Sequence, residues 1–276
     1  MIKDIVVNLS VTKGGGPAGE YAVSLAGELD AHIAGVAFVY DPIVPVSATG
    51  YIPAEVIERQ QSDNEGFAKA AIDRFADVTR RAGLSAEPLT VSASLAGAGE
   101  RFSLIARRFD LAVVGQAEPE TSTVDDIIAE TVLFESGRPV IIVPYIQKGP
   151  LKLDRVMVCW DGSRQAARAI GDAMPLLTKA GGVEVVVIAD EPGKQHEIEG
   201  VDMGQHLARH GLKVSVESIA RGDVDIADAL LSHAADSSAD FMVMGGYGHS
   251  RLREFVLGGV TRSIFQSMTV PVLMSH

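Results

Sequence analysis

The chain is poor in cysteine, in basic residues and in long apolar runs. Its single cysteine, Cys159, excludes an internal disulfide and any metal site built from several thiolates, and it suits a reducing compartment. No apolar run approaches the roughly 20 residues that a membrane-spanning helix needs. Met1-Ile2-Lys3-Asp4 leads straight into a short apolar segment, so no signal peptide is expected and the expected compartment is the cytoplasm. Lys and Arg number 24 against 36 Asp and Glu, a formal charge of −12. Arg80-Arg81 and Arg107-Arg108 are the densest basic pairs, and both read as solvated helix faces. Nucleic acid needs clustered cations and is therefore not an expected partner, nor is a membrane. What remains is a globular composition, 47% hydrophobic and 22% charged, over 276 residues, enough for two domains of ordinary size.

The sequence repeats itself. Ile5-Val6-Val7-Asn8-Leu9 matches Val156-Met157-Val158-Cys159-Trp160. Asp110-Leu111-Ala112-Val113-Val114-Gly115 matches Asp240-Phe241-Met242-Val243-Met244-Gly245, and the apolar run at Pro139 matches that at Pro271. The first copy carries extra residues, placed at 41–64, where Pro42, Pro45 and Pro53 stand among turn residues. In the second copy, strands are expected at 155–160, 183–189, 213–219, 241–245 and 271–274, with helical patterns between them. Strands alternating with helices imply an α/β fold with a parallel sheet covered on both faces. The boundary falls at Gln147-Lys148-Gly149-Pro150, giving expected domains 1–148 and 149–276.

The most specific signal lies in the second copy. Gly245-Gly246-Tyr247-Gly248 follows an apolar strand, and Gly258-Gly259-Val260-Thr261 opens a helix with Val260, Ile264, Phe265 and Met268 on one face. Glycines let the backbone approach a ligand, and the amides of a helix N-terminus favour an anion such as phosphate. His249, Ser250, Arg251, Arg253 and Arg262 lie within or just beyond this stretch and are candidate phosphate cations or donors. The alternative is a pair of tight turns with solvated arginines.

This arrangement closely resembles the ATP-binding signature of the universal stress protein family, with one departure. The family usually has Ser or Thr where this chain has Gly259, which removes a hydroxyl contact and leaves an amide. The resemblance implies two tandem Rossmann-like units of the HUP type, each a five-stranded parallel sheet of order 3-2-1-4-5 with helices on both faces. It implies that the units pair as an intramolecular pseudo-dimer through their last strands, Val140–Val143 and Val272–Met274, with a homodimer of tandem chains as a larger assembly. It implies a stress-response regulatory role with an unidentified protein partner. The ligand would be an adenine nucleotide, ATP with or without Mg2+, turned over little or not at all.

By the same resemblance, Asp161 would contact the adenosine moiety and Ile188 or Ala189 would offer backbone groups to the adenine edge. Gly245, Gly248, His249, Arg251, Gly258, Gly259, Val260 and Thr261 would line the phosphates. Read without the resemblance, Asp161 in Trp160-Asp161-Gly162-Ser163 is equally a helix N-cap or turn residue before a helix over 164–174. In the first copy Ser10 stands for Asp161, Glu118 for Gly248, Asp126 for Gly258 and Ile127 for Gly259. Only Gly115 survives, for Gly245, so like charge excludes phosphate there.

Other readings have less behind them. Gly14, Gly16 and Gly19 satisfy a dinucleotide pattern, but Val11-Thr12-Lys13 intervene where the first glycine should close a strand. His206 and His210 are spaced as zinc ligands, without the glutamate of a metalloprotease motif, and read as surface histidines. No nucleophile–base pair stands out: Cys159 is expected inside a strand, and Ser163 has no partner nearby in sequence. An enzyme, either a slow ATP hydrolase or a nicotinamide-dependent one, is therefore second to a binding protein. An interaction module that has lost its nucleotide is third.

Overall fold

In the computed structural model, residues 1–12, 14–42, 53–118, 124–189, 194–220, 224–246 and 259–276 are described. The first half runs β1 (Asp4–Asn8), α1 (Ala18–Leu29), β2 (His32–Tyr40), α2 (Ala54–Ala82), β3 (Ala86–Ala93), α3 (Ala98–Ala106), β4 (Leu111–Gly115), α4 (Val124–Glu135) and β5 (Val140–Val143). The second runs β6 (Val156–Cys159), α5 (Arg164–Leu177), β7 (Val183–Ala189), α6 (Lys194–Arg209), β8 (Val214–Ala220), α7 (Ile226–Asp236), β9 (Phe241–Gly245), α8 (Gly259–Ser267) and β10 (Val272–Ser275). The expected strands of the second copy are in place within a residue or two. The helix read over 164–174 continues through Pro175 to Leu177. The extra residues of the first copy are not all loop. Part of them lengthens α2, which has 29 residues against 16 in α6.

Among the described residues all ten strands form one sheet, in the order β3-β2-β1-β4-β5-β10-β9-β6-β7-β8. Each half has the expected order 3-2-1-4-5, but the expectation of two separate sheets is overturned. The last strands pair antiparallel edge to edge, Val272 opposite Ile142, Leu273 opposite Ile141 and Met274 opposite Val140. All other pairings are parallel. The cause is the bare edge that a fifth strand would leave: Val140–Val143 is apolar on both faces, and its free amides and carbonyls need partners.

The central strands read as unbroken apolar runs because helices cover both faces. Side chains alternate between two cores. Ile5, Val7, Leu111, Val113, Ile141, Leu273, Phe241 and Val243 pack beneath α1, α2, α5 and α6. Val6, Ala112, Val114, Val140, Ile142, Val272, Met242 and Met244 pack beneath α3, α4, α7 and α8. Both cores cross the β5–β10 seam without interruption. The repeated aspartates have a structural reason: Asp110 Oδ2 accepts the amides of Lys3 and Asp4 at 2.8 and 3.1 Å, and Asp240 Oδ2 those of Asp154 and Arg155 at 3.0 and 3.3 Å. Each pins the start of its half's first strand.

Candidate nucleotide site

In the second half-sheet β7 and β8 extend to one side of β6, and β9 and β10 to the other. A crevice forms at the carboxyl ends of strands where order reverses in this way. Register sets which residues reach it. Cys159 lies opposite Val186, and Val158 opposite Val243. Continued by two residues, that register brings Asp161 level with Ile188 and Gly245 level with Trp160. Asp161, Ile188, Ala189 and Gly245 thus share one edge. Gly248, His249, Arg251 and Gly258, with Ser250 and Arg253, lie outside the described residues.

Asp161 is exposed, and its Oδ1 accepts the N–H of Ser163 at 3.0 Å across Gly162, whose φ is 74°. Ser163 is the N-cap of α5, its Oγ accepting the N–H of Ala166 at 3.1 Å. The reading of Asp161 as the cap is thereby corrected, and its reading as a turn residue holds: Gly162 turns the chain in the left-handed region, which leaves Asp161 two residues too early and gives the cap to Ser163. Cys159 is half-buried, and burial pushes its thiol up to about 12, with the Asp161 carboxylate adding in the same direction. It is no nucleophile at neutral pH.

The glycines differ in what surrounds them. A Cβ on Gly245 would stand 2.5 Å from the N of Ala166 and 2.8 Å from the carbonyl carbon of Gln165. This glycine is required by the N-terminal turn of α5 packing on the strand end, whatever else approaches. Gly259, at the start of α8, is exposed, and a Cβ there meets nothing within 4 Å. Val260 is half-buried, and Thr261 is 3% exposed, its hydroxyl turned from solvent. The charge of Arg262, a candidate phosphate cation, also reaches α4 of the first half, drawing Asp126 and Glu130 down against the larger upward effect of burial.

Residues 152–276 match the model of the universal stress protein family. That half of the chain is a universal stress protein domain. A universal stress protein of Synechocystis is 33% identical over 67 residues, 24% of this chain and 22% of the relative, so the chain spans about a fifth of that relative's length. A universal stress protein structure from Archaeoglobus fulgidus aligns with a TM-score of 0.71 at 18% identity, covering 99% of this chain and 95% of that one. A functionally unknown protein from Pseudomonas aeruginosa aligns at 0.61 and 16% identity, covering 99% and 92%. At such identities these structures establish the fold, and they do so over both halves.

Around the universal stress protein domain the alternatives recede. Among the described residues no group of three His, Cys, Asp or Glu is placed to hold a metal ion. His206 and His210 are exposed, ring centroids 4.9 Å apart and edge-on. Gly14 stands well past the end of β1 at Asn8, and Gly19 is already inside α1, so the dinucleotide pattern lacks its strand-end turn. No described helix is long and apolar enough to cross a membrane. Sequence reading passed over Gln116, the buried residue after β4. Its Nε2 donates to the carbonyl of Phe265 in α8 at 2.8 Å, and its Oε1 accepts from the N–H of Tyr145 at 3.2 Å. A polar residue directly after an apolar strand was the available signal.

Proposed function

We propose that the universal stress protein domain binds one adenine nucleotide, ATP accompanied by Mg2+, in the crevice between β6 and β9. On this reading the chain is a regulatory protein that turns the nucleotide over slowly or not at all. The observation that carries the reading is the shared edge of Asp161, Ile188, Ala189 and Gly245 at the reversal of strand order. Asp161 orients the ribose or base by accepting hydrogen bonds, and the backbone at Ile188 and Ala189 meets the adenine edge. Gly245 keeps α5 close to the strand end, and Gly259, Val260 and Thr261 turn the amides of α8 toward phosphate oxygens. Gly248, His249, Arg251 and Gly258 complete the phosphate loop. The Cys159 thiol beside Asp161, pushed far above neutrality by burial, does not serve to activate a water.

Titration calorimetry with Mg-ATP tests this. One site per chain is expected, and Gly248→Glu, which copies the first half, should abolish it through bulk and charge. Gly259→Ser should tighten binding, because the backbone there has no left-handed φ and a Cβ meets open space. A hydrogen bond to a charged group is worth ~1.5–3 kcal/mol, about tenfold or more in affinity. Two equivalent sites, or unchanged binding by Gly248→Glu, would move the ligand elsewhere. No binding at all would favour an interaction module, and a kcat of ~1–10³ s⁻¹ an enzyme.

A further inference from the structure

The last turn of α6 carries a pair of side chains with metal-ligand spacing that the nucleotide reading leaves unused. His206 lies within α6, and His210 follows directly on its last residue, Arg209. Both are exposed, and their ring centroids stand 4.9 Å apart. We propose that His206 and His210 form a two-imidazole chelate for a transition-metal cation of the nickel–copper–zinc group, open to solvent on its outer side.

Geometry carries the proposal. Residues four apart on a helix share one face, so both rings are presented together before any ligand arrives. The N–H of His210 donates to the carbonyl of Leu207 at 3.0 Å, and that of Gly211 to the carbonyl of Ala208 at 2.9 Å. Main-chain bonds thus hold the turn as far as His210, after which Gly211, at a φ of 83°, leads the chain off the helix. Metal–nitrogen bonds of ~2.0–2.1 Å set two imidazole centroids on one ion ~4.5–5 Å apart, at bond angles of ~90–110°. The observed 4.9 Å lies inside that range. The ring planes cross at 70°, and rotation about each Cβ–Cγ bond turns a nitrogen inward while the centroid stays in place. Chelation therefore asks for no movement of α6.

The donor atoms decide which ion. Imidazole pairs suit the borderline cations, Cu2+ being bound above Ni2+ and Zn2+ by the Irving–Williams order. Calcium and magnesium take oxygen ligands and gain nothing here. Asp202 and Arg209, both exposed, flank the pair with opposite charges, so the donors and not the local field make the selection. Asp202 stands one turn before His206, and about 12 Å of helix separates it from His210. Among the described residues no third His, Cys, Asp or Glu joins the pair. Water then fills the remaining positions, which marks an exchangeable surface site and not a closed structural one. α6 runs back from the carboxyl end of β7 to the amino end of β8, two parallel strands. The pair therefore lies at the rim opposite the β6–β9 crevice, and metal and nucleotide bind independently.

The test is titration of the full-length, tag-free chain with Cu2+, followed by calorimetry and electron paramagnetic resonance, with Mg2+ as competitor. One tight site per chain is expected, with two equatorial imidazole nitrogens on the copper and no displacement by Mg2+. His206→Gln and His210→Gln should each weaken binding about tenfold or more, because each loses the second donor. His210→Ala/Ala208→His keeps the number of histidines but sets them two apart, where side chains do not meet, and should bind as weakly as the single variants. The proposal is overturned by copper held through fewer than two imidazoles or by undiminished binding in either single variant. Full binding by the displaced pair, or an affinity no greater than that of free imidazole, overturns it as well. None of these results touches the Mg-ATP titration, so this proposal and the nucleotide reading fail separately.

Discussion

At the scale of single residues, the glycines of the second half separate into two kinds. Gly245 is a packing glycine: the Ala166 amide nitrogen would stand 2.5 Å from its Cβ, closer than real contacts allow. Gly245→Ala should therefore destabilise the chain by ~1–3 kcal/mol in a urea titration without any nucleotide present. Unchanged stability with lost ATP binding would instead make it purely a ligand glycine. Sequence could show that a side chain is excluded at 245, but not what excludes it, because helix and phosphate make the same demand. It could likewise show a carboxylate before α5 without showing that Gly162 hands the cap to Ser163. Asn8 was legible only as an amide in an otherwise apolar strand. That its buried oxygen lacks a hydrogen-bond partner depends on α1, β4 and the residues after β4, which no local pattern records.

At the scale of elements, strands and helices were largely readable, since buried parallel strands are apolar throughout and the helices between them are amphipathic. The meeting of α4 with α8 was not, because it depends on how the two halves join. There Asp126 and Glu130 sit above the ordinary carboxylate value through burial, Asp126 also raising Glu130, while Arg262 draws both down. Raised folded values mean that these carboxyls hold protons more tightly in the folded state. Their contribution to stability is complete below the unfolded value of about 4 and is lost as pH rises through the folded values. Melting temperature measured from about pH 4 upward should therefore fall more steeply for the natural chain than for Asp126→Asn/Glu130→Gln. A steeper fall in the variant would show that Arg262 dominates instead.

At the scale of the whole molecule, the repeat foretold two like halves and the family resemblance their joining through the last strands, but neither foretold one continuous sheet. Edge pairing is a choice among partners far apart in sequence, and a strand buried on both faces looks the same at a sheet's centre and at an interface. The seam predicts that residues 1–148 expressed alone will not be monomeric, because Val140–Val143 would present a bare, fully apolar edge. Size-exclusion chromatography should show aggregates or a pair joined through β5, and a stable monomer would argue that the halves fold independently of the seam. The direction of that pairing has a further result. With β5 and β10 antiparallel and every other pair parallel, the carboxyl ends of β1–β5 and of β6–β10 point opposite ways. The two clefts therefore open on opposite rims, back to back, and occupants of one cannot touch or crowd those of the other. On the proposed nucleotide reading, a partner gripping one rim would leave the opposite mouth open, so that nucleotide could exchange while the chain stays docked.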